Sequence, residues 1–146
     1  RQLLPQARLD VIRDWRQRGV RPHALIDISD GLASEVHHLC RHSGCGALVH
    51  AAAIPVALET RDVADRFAED VATYALFGGE DYELLFALPP DQLERLDQLS
   101  FNVIGEFLPA EHGVQVQTPE GAVIPLDPAG YQHFRQEEDG EADLLG

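Results

Sequence analysis

Residues 82–88 read Tyr-Glu-Leu-Leu-Phe-Ala-Leu, apolar at every position but Glu83. A strand with apolar side chains on both faces must be covered on both faces, which favours a sheet flanked by other elements over one with a wet face. The pattern therefore predicts a strand central in its sheet. A chain of 146 residues is long enough for one domain with a hydrophobic core and short for two. No apolar run approaches the roughly 20 residues that span a bilayer, and the first residues lack the basic-then-apolar layout of a secretory signal. The expectation is a soluble, cytoplasmic protein without a membrane segment.

Other elements follow from periodicity. Leu4, Ala7, Val11 and Trp15 recur at helical spacing and predict a lead-in helix over residues 3–18, ended near Gly19. Residues 23–28 read as a buried strand, followed by Ser29, Asp30 and Gly31 and then a helix carrying Leu32, Val36, Leu39 and Cys40. Gly44 and Gly46 end that helix, and a second strand is expected at 47–50. Val63, Phe67, Val71, Tyr74 and Ala75 predict one helix or two over 61–76. Pro89 and Pro90 start a helix over 91–99, and strands are expected at 102–107, 113–118 and 122–126. Residues 135–146, with Glu137, Glu138, Asp139, Glu141 and Asp143, read as an acidic, solvated tail.

Charge narrows the functional classes. The formal net charge is −14, and all 11 basic residues are arginine. Without lysine, neither a Walker-type phosphate loop nor the strand lysine of a protein kinase can lie in this chain. The acidic balance argues equally against nucleic acid as a partner, since that binding needs clustered Lys and Arg. If the chain handles polyphosphates, metal ions must neutralise much of their charge. There is no methionine, which suggests a sequence cut from a longer protein. Two cysteines, Cys40 and Cys45, are expected to be reduced.

Two segments could carry chemistry. Asp27, Ser29 and Asp30 put two carboxylates and a hydroxyl where a strand gives way to a helix, a place where anions and metals bind in α/β architectures. Two readings fit that spacing. Asp27 and Asp30 could be hard oxygen ligands for magnesium, or Asp30 could be the helix N-cap and Asp27 a polar strand end. A calcium EF-hand is excluded, because the glycine falls one place early and the terminal glutamate position is His38. The second segment, Gly78-Gly79-Glu80-Asp81-Tyr82-Glu83, joins a glycine pair to acids at the mouth of the apolar strand.

In combination, Ile-Asp-Ile-Ser-Asp-Gly-Leu at 26–32 and Gly-Gly-Glu-Asp-Tyr-Glu-Leu at 78–84 resemble the thiamine-monophosphate kinase family of the aminoimidazole ribonucleotide synthetase-like superfamily. Gly130-Tyr131-Gln132-His133-Phe134 is similar to that family's closing signature. The resemblance covers residues 22–134 as the kinase C-terminal domain, with 1–21 as the lead-in helix and linker from an N-terminal domain. It implies an α+β fold, a layered α/β/α domain with a mixed sheet of about four strands flanked by helices. It also implies transfer of the ATP γ-phosphoryl group to thiamine monophosphate, giving thiamine diphosphate. By that resemblance Asp27 and Asp30 are Mg2+ ligands, Ser29 contacts ATP phosphate, and Glu80 and Tyr131 contact the thiamine phosphate. No catalytic base is implied, because the nucleophile is a phosphate oxygen with a second pKa near ~6, already largely ionised at neutral pH. The N-terminal domain would supply further metal-binding acids, most of the nucleotide site and a homodimer interface, so the fragment alone is expected to be inactive.

Rival readings remain at this point. Another ATP-dependent member of the superfamily, or a non-catalytic binding module of the same fold, fits the architecture. His37, His38, His42, Cys40 and Cys45 could hold a structural zinc, against the alternative of an ordinary helix with a buried thiol.

Overall fold

The structure, a computed structural model, describes residues 9–57, 60–62, 66, 75–77, 83–96 and 101–128. Glu80, Tyr131 and the acidic tail lie outside the described residues. In chain order the elements are α1 (Leu9–Gln17), β1 (Ala24–Asp27), α2 (Leu32–Ser43), β2 (Gly46–His50), β3 (Leu84–Ala87), β4 (Gly105–Leu108), β5 (Val114–Gln117) and β6 (Val123–Pro125). A single helical turn, Pro90–Leu93, starts behind Pro89 as expected but does not run on as a regular helix through residues 94–96. Residues 60–62, 66 and 75–77 are helical.

The strands form a mixed four-stranded sheet in the order β4-β2-β5-β6 and a separate antiparallel pair, β1-β3. In the larger sheet β2 runs antiparallel to β4 and parallel to β5, and β5 runs antiparallel to β6. The α+β class and the four-stranded mixed sheet thus stand as expected. The central position does not belong to the apolar strand at 82–88. Among the described residues β3 pairs only with β1, whereas β2 lies between two neighbours, with Ala47 and Val49 buried.

The reason lies in what covers β3. Successive side chains of a strand point to opposite faces, and here Leu85 packs with the α2 cluster while Phe86 packs with the α1 cluster. Helices, not flanking strands, account for its apolarity on both faces. The first cluster joins Leu32, Ala33, Val36 and Cys40 of α2 to Ala47, Val49, Val116 and Leu126. The second is built on Trp15, whose ring meets Phe86 edge to face at 4.5 Å between centroids. Such a pair contributes about 1 kcal/mol beyond the area it buries. It ties the lead-in helix to the strand that begins beside Asp27.

Register fixes the end of β1. Its ladder with β3 pairs Ala24 with Ala87 and Asp27 with Leu84. The pairing extends one bond further each way, His23 N–H to the Ala87 carbonyl and Ile28 N–H to the Glu83 carbonyl, both 2.8 Å. Residues 23–28 therefore form the extended segment read from the sequence, although half-buried and exposed residues alternate along it where a buried strand was expected, and the chain leaves the ladder at Ser29.

Candidate functional site

Asp27, Ser29 and Asp30 are exposed where β1 ends, and Gly31 begins the burial that continues through Leu32 and Ala33. Among the described residues, neither aspartate carboxylate takes part in a hydrogen bond or ion pair. The N-cap of α2 is Gly31, with φ 103° and no side-chain cap. Asp30 is therefore not the N-cap aspartate that one reading of the spacing allowed. It lies one residue outside the helix, whose N-cap residue makes no side-chain capping bond.

Gly31 is required here for two reasons. Its φ is positive, and a Cβ would lie 3.3 Å from the carbonyl oxygens of both Leu76 and Phe77. That close approach carries an architectural consequence. The segment 78–82 is flanked by Phe77, whose backbone meets Gly31, and by Glu83, whose carbonyl accepts the Ile28 N–H. Both described flanks of the glycine-pair motif thus abut the Asp27–Gly31 turn, although 45 residues lie between the two motifs in sequence.

One residue of this site escaped the sequence reading. Glu35 is 3% exposed, on the buried face of α2 with Leu32, Val36 and Leu39. Its Oε1 accepts a hydrogen bond from the Ser29 hydroxyl at 3.1 Å and from the Asp30 N–H at 3.2 Å. The signal was present: at helical spacing Glu35 falls three residues after Leu32 and four before Leu39, a carboxylate on an apolar stripe.

The donor set suits one kind of metal. Two exposed carboxylates, neither in a hydrogen bond or ion pair among the described residues, could hold magnesium, which takes one or two carboxylates and completes its octahedron with water and substrate phosphate. They do not make a closed cage. Among the described residues no group of three or more His, Cys, Asp or Glu converges on a metal position.

The same holds for the Cys/His cluster on α2. His37 Nε2 lies 2.6 Å from the Leu126 carbonyl oxygen and His42 Nδ1 lies 2.8 Å from that of His38. Burial, and then the neighbouring Cys45 thiol, push the Cys40 pKa up to about 12, whereas zinc needs the thiolate. Keeping this thiol protonated stabilises the fold below its ordinary value of 9.0, and that contribution is lost as pH rises towards about 12. The segment is a helix end with a buried thiol. An open cavity of about 360 Å³, lined by Cys40, Arg41, Cys45 and Val114, lies there, at the opposite end of α2 from the aspartate turn.

With this geometry in hand, residues 1–117 match the family model described as AIR synthase related protein, C-terminal domain. The chain belongs to that family. Within it, the chain is 31% identical over 137 residues to the thiamine-monophosphate kinase of Aquifex aeolicus, covering 92% of this chain and 40% of the relative. The corresponding protein of Salmonella typhimurium is 38% identical over 119 residues, 76% of this chain and 35% of the relative. Among solved structures, AaThiL complexed with AMPPCP and TMP matches with a TM-score of 0.69 and 33% identity, over 89% of this chain and 38% of that one. A hydrogenase maturation protein of E. coli matches with the same TM-score at 23% identity, a likeness of fold alone. This AIR synthase-related domain therefore spans about two fifths of the length of its Aquifex relative. No helix among the described residues is long and apolar enough to cross a membrane.

Proposed function

We propose that this domain is the C-terminal part of a thiamine-monophosphate kinase, which transfers the γ-phosphoryl group of ATP to thiamine monophosphate and so makes thiamine diphosphate. The observation that carries the reading is the likeness, at 33% identity over 89% of the chain, to a structure holding both AMPPCP and TMP. The exposed carboxylates of Asp27 and Asp30, unpartnered among the described residues, support it chemically.

Magnesium bound there would neutralise the triphosphate charge that no lysine of this chain can meet. Asp27 and Asp30 would hold it from the end of β1, and Ser29 faces the ATP phosphates between them. Glu80 and Tyr131 are assigned to the thiamine phosphate. Tyr131 offers an aromatic face to a heterocycle, and Glu80 a carboxylate to a cationic or hydrogen-bonding group. No side chain is assigned as a base, because a phosphate oxygen with a second pKa near ~6 is already ionised at neutral pH. Residues 1–21 serve as the lead-in, 22–134 as the kinase domain and 135–146 as a solvated tail. An N-terminal domain supplies the remaining metal carboxylates, most of the nucleotide site and a homodimer interface, in a cytoplasmic enzyme.

The test is product formation. The complete protein carrying this chain, given ATP, Mg2+ and thiamine monophosphate, is expected to form thiamine diphosphate, detected by mass spectrometry, while the isolated chain forms none. No product from the complete protein overturns the kinase reading, and sustained turnover by the isolated chain overturns the division of labour.

A further inference from the structure

A carboxylate removed from water costs several kcal/mol unless hydrogen bonds or charges compensate it. Glu35 is such a group at 3% exposure, and among the described residues its side chain bonds Ser29 and Asp30. Neither bond serves the helix. In a capping box the acidic residue sits at the third helical position and accepts from the N-cap N–H. Here Gly31 is the N-cap and Glu35 is the fourth residue after it, and the side chain reaches past Gly31 to the turn outside the helix. The backbone of Glu35 already makes its ordinary helical bond, N–H to the Gly31 carbonyl at 3.2 Å. The first turn of α2 is also where the helix dipole favours a negative charge, which helps the carboxylate stay in place.

We propose that Glu35 is a positioning residue of the metal–nucleotide turn: one buried carboxylate oxygen takes the Ser29 hydroxyl hydrogen and the Asp30 N–H together, and so fixes how both residues face the ligand. This rests on the kinase reading for the identity of the ligand. A turn of exposed residues between a strand and a helix would otherwise sample several arrangements, and binding would have to order it. Glu35 does that ordering in advance from inside the core. It also settles the polarity of Ser29. A hydroxyl has one hydrogen, and with that hydrogen given to Glu35, Ser29 Oγ turns only lone pairs outward. It then suits a cation or a metal-bound water, and reaches a phosphate oxygen through that water.

The experiment compares Glu35→Met and Glu35→Gln in the complete protein. Methionine fills a similar volume, suits a helix and the apolar stripe, and accepts no comparable hydrogen bond. Glutamine keeps an acceptor oxygen at the same reach. Calorimetric titration of Mg2+ with AMPPCP, without thiamine phosphate, is expected to show about tenfold or greater weakening in Glu35→Met. In Glu35→Gln the change is expected to stay within about twofold. Equal affinity of Glu35→Met and wild type overturns the proposal, as does weakening of Glu35→Gln to the level of Glu35→Met. If Glu35→Met does not fold, Glu35→Leu replaces it. A second readout, hydrogen exchange of the Asp30 amide in the metal-free protein, is independent of function. It should speed at least about tenfold in Glu35→Met and not in Glu35→Gln, as loss of a protecting bond requires. If wild type binds no Mg2+–AMPPCP, the kinase reading fails, and the exchange data alone decide whether Glu35 holds the turn.

Discussion

Gly46→Ala is expected to destabilise the chain by about 3 kcal/mol or more, at its four-stranded sheet. Gly46 opens the central strand β2, paired across from Leu108 of β4, while the next residue, Ala47, pairs with Val114 of β5. A methyl group there would fall on the Gly113 carbonyl oxygen and lie 2.9 Å from that of Pro109. Both obstacles are backbone, so no side-chain rotation relieves them. One carbonyl precedes β5 and the other follows β4, and relief would pull β2 from both neighbours at once. Small domains are stable by only about 5–15 kcal/mol in total, so such a loss is a large share. Denaturant unfolding of the two proteins checks this. An unchanged midpoint would mean that the tight approach at Gly46 is not a feature of the folded protein.

Asp27→Asn in the complete protein is expected to lower turnover at limiting Mg2+ by about a hundredfold or more, because loss of even an outer partner of a bound metal costs about 10–100-fold. The fold should tolerate the change. Asp27 is exposed, its carboxylate is in no hydrogen bond or ion pair among the described residues, and its backbone pairing with Leu84 does not depend on the side chain. Thermal melting should therefore match wild type while the Mg2+ requirement rises. Superimposable kinetics across Mg2+ concentrations would remove Asp27 from the metal.

The contrast between these residues shows what was legible in the sequence. The order strand, polar turn, helix at 23–43 was readable because a short apolar stretch, a glycine and a helical stripe follow one another locally, and the structure reproduces the element order closely. The neighbourhood of β3 was not. Its apolar faces said that it is covered but not by what; Trp15 and the α2 cluster cover it, and among the described residues it has a strand neighbour on one edge where a central position was expected. Local pattern reports burial, whereas the identity of the covering element depends on contacts distant in sequence.

The site divides in the same way. Asp27, Ser29 and Asp30 stood out because carboxylates and a hydroxyl crowd a strand end. Whether Asp30 caps the helix depended on the φ of Gly31, which the spacing could not supply. Glu35 went unread because its partners lie five and six residues back across a bend in the chain. The approach of Leu76 and Phe77 to Gly31 was equally invisible, since glycine says that space is needed without saying what fills it.

On the proposed function, the Asp27–Gly31 turn is the metal-binding wall of an ATP-dependent thiamine-phosphate kinase. Crystals of the complete protein with Mn2+ in place of Mg2+ and with AMPPCP test it most directly, through the anomalous scattering of manganese. An anomalous peak is expected at bonding distance from the carboxylates of Asp27 and Asp30, beside the nucleotide phosphates. Manganese bound to the nucleotide elsewhere, with both carboxylates facing only water, would contradict it.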